Sequence, residues 1–116
     1  MPQERRRKRG KIDARRLAVD IARQAMTQLY RLSVEAAKKG DLELARRLID
    51  HALRIHQRLR VRKPTQLRRG VCPNCHLPLI PGVTARVRLR SRGRHIRVTK
   101  TCLQCGYMLR IEERKP

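Results

Sequence analysis

The chain has no phenylalanine and no tryptophan, and Tyr30 and Tyr107 are its only aromatic residues. Any core must therefore be built from Leu, Ile, Val and Ala, and base recognition by stacking on aromatic rings is poorly supplied. Carboxylates are scarce too: 9 Asp and Glu stand against 31 Lys and Arg, a net charge of +22. From His51 to Ile111 there is no Asp or Glu, although that span carries 15 basic residues. A protein site that cleaves nucleic acid usually needs carboxylates to hold Mg²⁺, or a histidine pair, so this half is expected to bind and not to cut. No apolar run approaches the ~20 residues of a membrane-spanning helix. The basic run Arg5-Arg6-Arg7-Lys8-Arg9 is followed by no apolar segment, so it does not read as a signal peptide. The expected location is intracellular and reducing, that is, cytoplasmic.

What is abundant is arginine. Of the basic residues 24 are Arg and 7 are Lys. A charge of this size repels itself unless a polyanion neutralises it, and the planar guanidinium grips phosphate with two donors. The partner class is nucleic acid. The charge is uneven: Lys11 to Asp50 carries 9 basic and 6 acidic residues, so the first half suits a protein contact better than the second.

All four cysteines fall in two pairs, Cys72-Pro73-Asn74-Cys75 and Cys102-Leu103-Gln104-Cys105, separated by 26 residues. Each Cys-x-x-Cys turn supplies half of a tetrahedron, and two make the closed four-thiolate site of structural zinc. The spacer is long enough for a β-hairpin, which points to a zinc ribbon. Two disulfides would need an oxidising compartment. An iron centre of the rubredoxin kind would lack aromatic shielding here. Cys72 to His76 also matches the Cys-x-x-Cys-His haem-attachment pattern, but haem would leave Cys102 and Cys105 unused, and His76 reads as a turn residue. A structural zinc brings roughly 10–16 kcal/mol of apparent binding energy to folding, comparable to the net stability of a small domain.

The expected fold is a small α+β zinc protein, an N-terminal antiparallel two-helix hairpin followed by a three-stranded antiparallel zinc ribbon. Residues 1–10 read as a basic disordered arm that could order on a phosphate backbone. Residues 11–62 read as the hairpin. Ala18, Ala22, Ala25, Leu29, Leu32 and Ala36 mark the first helix face, widened by Leu17, Ile21 and Met26. Gly40 and Asp41 form the turn as C′ residue and N-cap. Leu44, Leu48, Ala52, Ile55 and Leu59 mark the second face, with Ala45 and Ile49 beside it. His51 and His56 read as helix-surface residues. Residues 63–71 form a basic linker, 72–112 the ribbon and 113–116 a tail.

Within the ribbon, Val83, Ala85, Val87 and Leu89 alternate with Thr84, Arg86, Arg88 and Arg90, so one strand face is apolar and the other cationic. Ile96 and Val98 alternate with Arg97 and Thr99, and a third strand follows Tyr107. The apolar side is expected to pack on the hairpin. The expected RNA surface is Arg86, Arg88, Arg90, Arg97 and Arg110, extended by Arg92, Arg94 and Lys100 and joined from the linker by Arg68 and Arg69.

The segments Cys72-Pro73-Asn74-Cys75-His76, Ile80-Pro81-Gly82-Val83-Thr84-Ala85-Arg86-Val87-Arg88-Leu89 and Thr101-Cys102-Leu103-Gln104-Cys105-Gly106-Tyr107 resemble the archaeal ribonuclease P protein component 4 family, related to a eukaryotic nuclear ribonuclease P subunit. The order of parts matches as well, over roughly Ile12 to Ile111. The resemblance implies a non-catalytic protein subunit of an RNA-based enzyme that removes the 5′ leader of precursor tRNA. It implies two partners, protein component 1 (a β-barrel) and the specificity domain of the catalytic RNA. Apolar residues of the first helix off its main stripe, Val19, Tyr30 and Val34, are the expected docking surface for component 1. A DNA-binding zinc-ribbon transcription factor and a basic ribosomal protein are the alternative readings.

Overall fold

A computed structural model describes residues 2–116, with side chains described from Asp13 onward. Helix α1 runs Pro2–Lys38, α2 Leu42–Leu59 and α3 Thr65–Arg69; strands β1 Ala85–Arg92, β2 His95–Cys102 and β3 Met108–Arg114 follow. The helix begins at Pro2 and not near Ile12, so the backbone expected as a disordered arm is continuous with α1. What the arm's side chains would do on a phosphate backbone lies outside the described residues.

The turn between α1 and α2 forms as its residues dictate. The Gly40 N–H donates to the Ala37 carbonyl and the Asp41 N–H to the Ala36 carbonyl, with Gly40 at φ +90°. This pattern of two back-bonds around a left-handed residue satisfies carbonyls that the helix end would leave open. The Asp41 side chain then accepts from the Leu44 N–H at 3.1 Å and caps α2. α2 stops at Leu59, well before Pro64. Arg60 takes a left-handed conformation (φ +52°), and the His56 Nδ1–H donates to the Val61 carbonyl at 2.6 Å. His56 is thus a half-buried lock on the helix end, where a surface residue was expected.

The hairpin core is Ala22, Met26, Ile49 and Ala52, closed by Val61, Leu67 and Val71 from the segment after α2. Ser33 is fully buried between the helices and donates its Oγ–H to the Ala45 carbonyl at 2.8 Å. The buried residues of α1 are Ala22, Met26, Ser33, Ala36 and Ala37; Ala22, Met26 and Ala36 belong to the expected face, while Leu17, Ala18, Ile21 and Leu32 of that face are exposed. On α2, Ala45, Ile49 and Ala52 are buried, while Leu44 and Leu59 are exposed. Part of the expected linker is the short helix α3, which drives Leu67 into the core.

The sheet has the order β1-β2-β3, antiparallel throughout. It does not pack on the hairpin as expected: among the described residues, no strand has a Cα within 8 Å of a helix. The loop before β1 makes that contact instead. Leu77 and Ile80 pack with Ala36, Ala37 and Ala45 at the turn end of the hairpin. The loop is rigid because buried Thr84 donates to the Pro78 carbonyl and accepts from the Ile80 N–H. β3 reaches Arg114, into the expected tail.

Candidate metal centre and nucleic-acid interface

The two cysteine pairs fold into matching knuckles. The Cys72 N–H donates to the Leu77 carbonyl at 2.9 Å, and the Cys102 N–H to the Tyr107 carbonyl at 2.8 Å. In return, the His76 N–H donates to Cys72 at 2.9 Å and the Gly106 N–H to Cys102 at 2.8 Å. Each turn closes through a left-handed residue four positions after its first cysteine, Gly106 at φ +79° and His76 at φ +59°. Glycine does this freely and histidine does not. His76 is held there by its side chain, whose Nδ1 lies 2.6 Å from Asp50 Oδ1 on α2. The turn residue of the sequence reading is thus also a tie between knuckle and hairpin.

The four Sγ atoms lie within 4.8 Å of one another, with Cys72–Cys105 at 3.4 Å and Cys75–Cys102 at 3.5 Å. A tetrahedron with zinc–sulfur bonds of about 2.3 Å has edges of roughly 3.8 Å, so the cluster fits such an ion. All four are free thiols in the structure. Burial pushes the Cys75 thiol up to about 12 and raises that of Cys72. Cys105 is drawn down to about 6, chiefly by a hydrogen bond from the Asn74 side chain and then by the Tyr107 backbone. A cation that binds thiolates supplies what the buried pair lacks. The sheet's own core is Cys72, Leu79, Ala85 and Cys102, so half of it is cysteines of the candidate metal cluster.

Strand pairing fixes which side chains share a face. Arg86, Arg88, Arg90 and Arg92 of β1 stand opposite Thr101, Thr99, Arg97 and His95 of β2. Those lie beside Met108, Arg110, Glu112 and Arg114 of β3. Arg86, Arg88, Arg90, Arg97 and Arg110 line one groove of ≈ 380 Å³ with Thr99, Thr101 and Met108. Glu112 is the one carboxylate of this strand face; it accepts from Arg97 Nε at 2.9 Å and from an Arg97 terminal nitrogen at 2.7 Å. Arg97 holds the Glu112 carboxyl below its ordinary range by that hydrogen bonding first and by its charge second. Arg92 joins this face, and Arg94 stands exposed in the β1–β2 turn.

Three residues of the expected surface lie elsewhere. Lys100 pairs with Val87 and Leu109 on the opposite, apolar face, and its ammonium donates to the Arg69 carbonyl at 3.2 Å. Arg69 turns to Glu113 at 2.9 Å, also on that face. Arg68 donates to Thr65 Oγ1 at 3.2 Å and lines a separate pocket with Arg23, Arg62 and Lys63. The alternation itself carried the signal for Lys100, which has the parity of Ile96 and Val98. It also carried Arg114, which the sequence reading missed.

The expected protein-docking residues are half-buried within the chain itself. Val19 and Tyr30 pack on the hairpin core and Val34 on the cluster at its turn end. Tyr30 lies so close to Gly70 that a Cβ there would meet its hydroxyl at 2.6 Å, and burial raises its pKa. The uncovered apolar residues are on the other flank: Leu17 is 61% exposed, Ile21 57% and Leu59 59%, with Leu32 and Leu44 about two-fifths exposed. α3 and the first knuckle occupy the Tyr30 and Val34 side, which leaves this flank open.

The chain matches the model of the family described as the RNAse P Rpr2/Rpp21/SNM1 subunit domain over residues 25–106. It is 53% identical over 101 residues to ribonuclease P protein component 4 of Hyperthermus butylicus, covering 87% of this chain and 88% of that one. Its fold is similar to a chain in a cryo-EM structure of archaeal ribonuclease P with mature tRNA, at a TM-score of 0.72 and 39% identity, over 80% of this chain and 77% of that one. It is also similar to a structure described as Pfu Rpp21, at a TM-score of 0.59 and 34% identity, over 79% of this chain and 99% of that one. With its two knuckles and its order of helices and strands in agreement with these relatives, the chain belongs to the Rpr2/Rpp21/SNM1 family of ribonuclease P protein subunits.

Proposed function

We propose that the chain is a non-catalytic, zinc-binding and RNA-binding subunit of ribonuclease P, supporting the catalytic RNA as it removes the 5′ leader of precursor tRNA. The observation that carries this reading is the arginine groove of the sheet, in a chain whose relatives are ribonuclease P subunits. Guanidinium groups spaced along paired strands match phosphates of a folded RNA, and two tyrosines leave little for base stacking. Cys72, Cys75, Cys102 and Cys105 would hold one Zn²⁺, which supplies structure and, with four thiolates bound, offers water no open position. A four-thiolate site would suit a reducing, cytoplasmic location.

By the same reading, the protein partner is ribonuclease P component 1. It would dock on the open apolar flank of Leu17, Ile21, Leu32, Leu44 and Leu59 and not on Val19, Tyr30 and Val34. The RNA partner is the specificity domain of the catalytic RNA.

The test is reconstitution with an Arg88→Ala, Arg90→Ala variant. It should keep its metal and its protein partner, yet need more Mg²⁺ or more protein to cleave precursor tRNA. The chain alone should cleave nothing. Normal reconstitution by the variant, or cleavage without the catalytic RNA, would defeat the proposal.

A further inference from the structure

Among the described residues, positive charge converges in the sheet groove and also elsewhere. A second such place lies on the helical module, where the chain leaves α2. Val61 and Leu67 are both buried in the hairpin core, so the segment between them is pinned at two points. The His56 bond to the Val61 carbonyl fixes its start, and Pro64 at the N-terminus of α3 fixes its middle. Arg62 and Lys63 are held on this pinned segment, Arg68 follows Leu67 on α3, and Arg23 of α1 meets them. With Pro64 and Thr65 they line a cavity of ≈ 280 Å³, large beside the roughly 30 Å³ one water occupies in the liquid. Arg68 is further held by its bond to Thr65 Oγ1 at 3.2 Å.

Two contrasts set this cavity apart from the sheet. First, none of its four cations makes an ion pair among the described residues, whereas Arg97 and Arg69 are each bonded to a glutamate. Converging cations that are not ion-paired repel one another unless an anion offsets them. Second, the two arginines of α3 part company: Arg69 goes to Glu113 on the apolar face of the sheet, and Arg68 to this cavity. The cavity is thus separate from the sheet's arginine groove. A neighbouring surface cavity, also bordered by Arg23, is lined by Arg15, Arg16, Val19 and Asp20.

We infer that this cavity is a second phosphate-binding site, and that the protein clamps two separate backbone segments of one folded RNA, one here and one on the sheet. Three guanidinium forks and an ammonium around one cavity match the oxygens of a backbone phosphate and read no base. Holding two segments would fix their relative placement in the folded RNA. The inference rests on the reading of the chain as a ribonuclease P RNA-binding subunit.

The experiment is hydroxyl-radical footprinting and salt-dependent binding of the intact, metal-loaded chain on a transcript of the ribonuclease P specificity domain. Three variants are compared with the wild type: Arg62→Gln, Arg68→Gln for the cavity, Arg62→Lys, Arg68→Lys as its control, and Arg88→Ala, Arg90→Ala for the sheet. Arg62 and Arg68 are exposed, so the fold should persist, as circular dichroism and metal content would verify. The glutamine variant should lose one patch of RNA protection, keep the patch that the sheet variant loses, and bind with a salt slope shallower by about two contacts. The lysine variant should keep most of both. An unchanged footprint and slope, or loss of the same nucleotides in cavity and sheet variants, overturns the inference. So does a variant with normal RNA binding and weakened binding to component 1, which would make the cavity a protein contact. If the sheet variant leaves RNA binding intact and the cavity variant does not, the sheet's role fails and the second site stands. If the wild type protects no RNA, both fail.

Discussion

The hairpin and the ribbon are stabilised by different means. The hairpin buries Met26, Ile49, Ala45 and Ala52 to full closure between two long helices. The sheet buries only Ala85 and Cys102 among its strand residues. Leu89 remains 69% exposed, and the sheet's core cluster is two cysteines, a leucine and an alanine. One half thus follows from apolar burial and the other from a ladder of hydrogen bonds gathered around four sulfurs. Aromatic poverty explains the split: without Phe or Trp the ribbon has no large side chain to cover both faces, and arginines hold one of them.

The largest expected effect comes from breaking the two halves separately. Chelation of the metal, or Cys102→Ser, should unfold the ribbon and leave most of the helical circular dichroism, because roughly 10–16 kcal/mol of metal binding is withdrawn from one module. Ile49→Ala should do the opposite, lowering hairpin stability by about 2–5 kcal/mol while metal content stays stoichiometric. Isotope-labelled spectra of both variants would show which resonances collapse. A single cooperative loss in both would show that the halves are one unit, joined through Leu77, Ile80 and the Asp50–His76 contact.

Next in size is the joint between the halves. A Cβ on Gly70 would lie 2.5 Å from the Gln66 carbonyl oxygen and 2.6 Å from the Tyr30 hydroxyl. The first is backbone and cannot move aside without unwinding α3. Gly70→Ala should cost about 1–3 kcal/mol, the range of overpacked sites. It should also shift resonances in both modules, since Gly70 ends α3 and its carbonyl accepts from the Leu79 N–H. A denaturation midpoint equal to that of the wild type would show that the joint is looser than drawn.

This contrast also explains which parts were legible in the sequence. Cysteine spacing and strand alternation are local, so the clustering of the four cysteines, the sheet order and five of the grouped arginines could be read directly. The exact inward side of the helices could not. Around the shared Ala22, Met26 and Ala36, the residues Leu17, Ile21 and Leu32 compete with Ser33 and Ala37 for the inward side of α1, and periodicity alone offers both. The docking of α3 and the first knuckle on one flank decides the matter, and that contact is long-range. α3 itself is five residues, too short for a period, so Arg68 and Arg69 read as a linker that joins the sheet. The expectation that the sheet packs on the hairpin failed because apolar alternation shows that a face exists and not what covers it.

The smallest expected effect concerns the one carboxylate on the arginine face. Glu112 holds Arg97 by two hydrogen bonds and draws it away from an incoming phosphate. A carboxyl whose folded pKa is depressed stabilises the fold above its unfolded value, and that contribution is lost as pH falls through the folded value. Arg97 depresses Glu112 in this way. The stability of Glu112→Gln should therefore differ from the wild type at neutral pH and converge with it only in acid, with a difference near the limit of measurement because the pair is solvent-exposed. RNA binding should respond more clearly. With Arg97 released and one negative charge removed, the variant should bind more tightly and its salt slope should steepen by about 0.9, one added phosphate contact. An unchanged slope would mean that Arg97 belongs to the ribbon's internal stabilisation, which would make the division between a packed hairpin and a charge-presenting ribbon less complete than the contrast suggests.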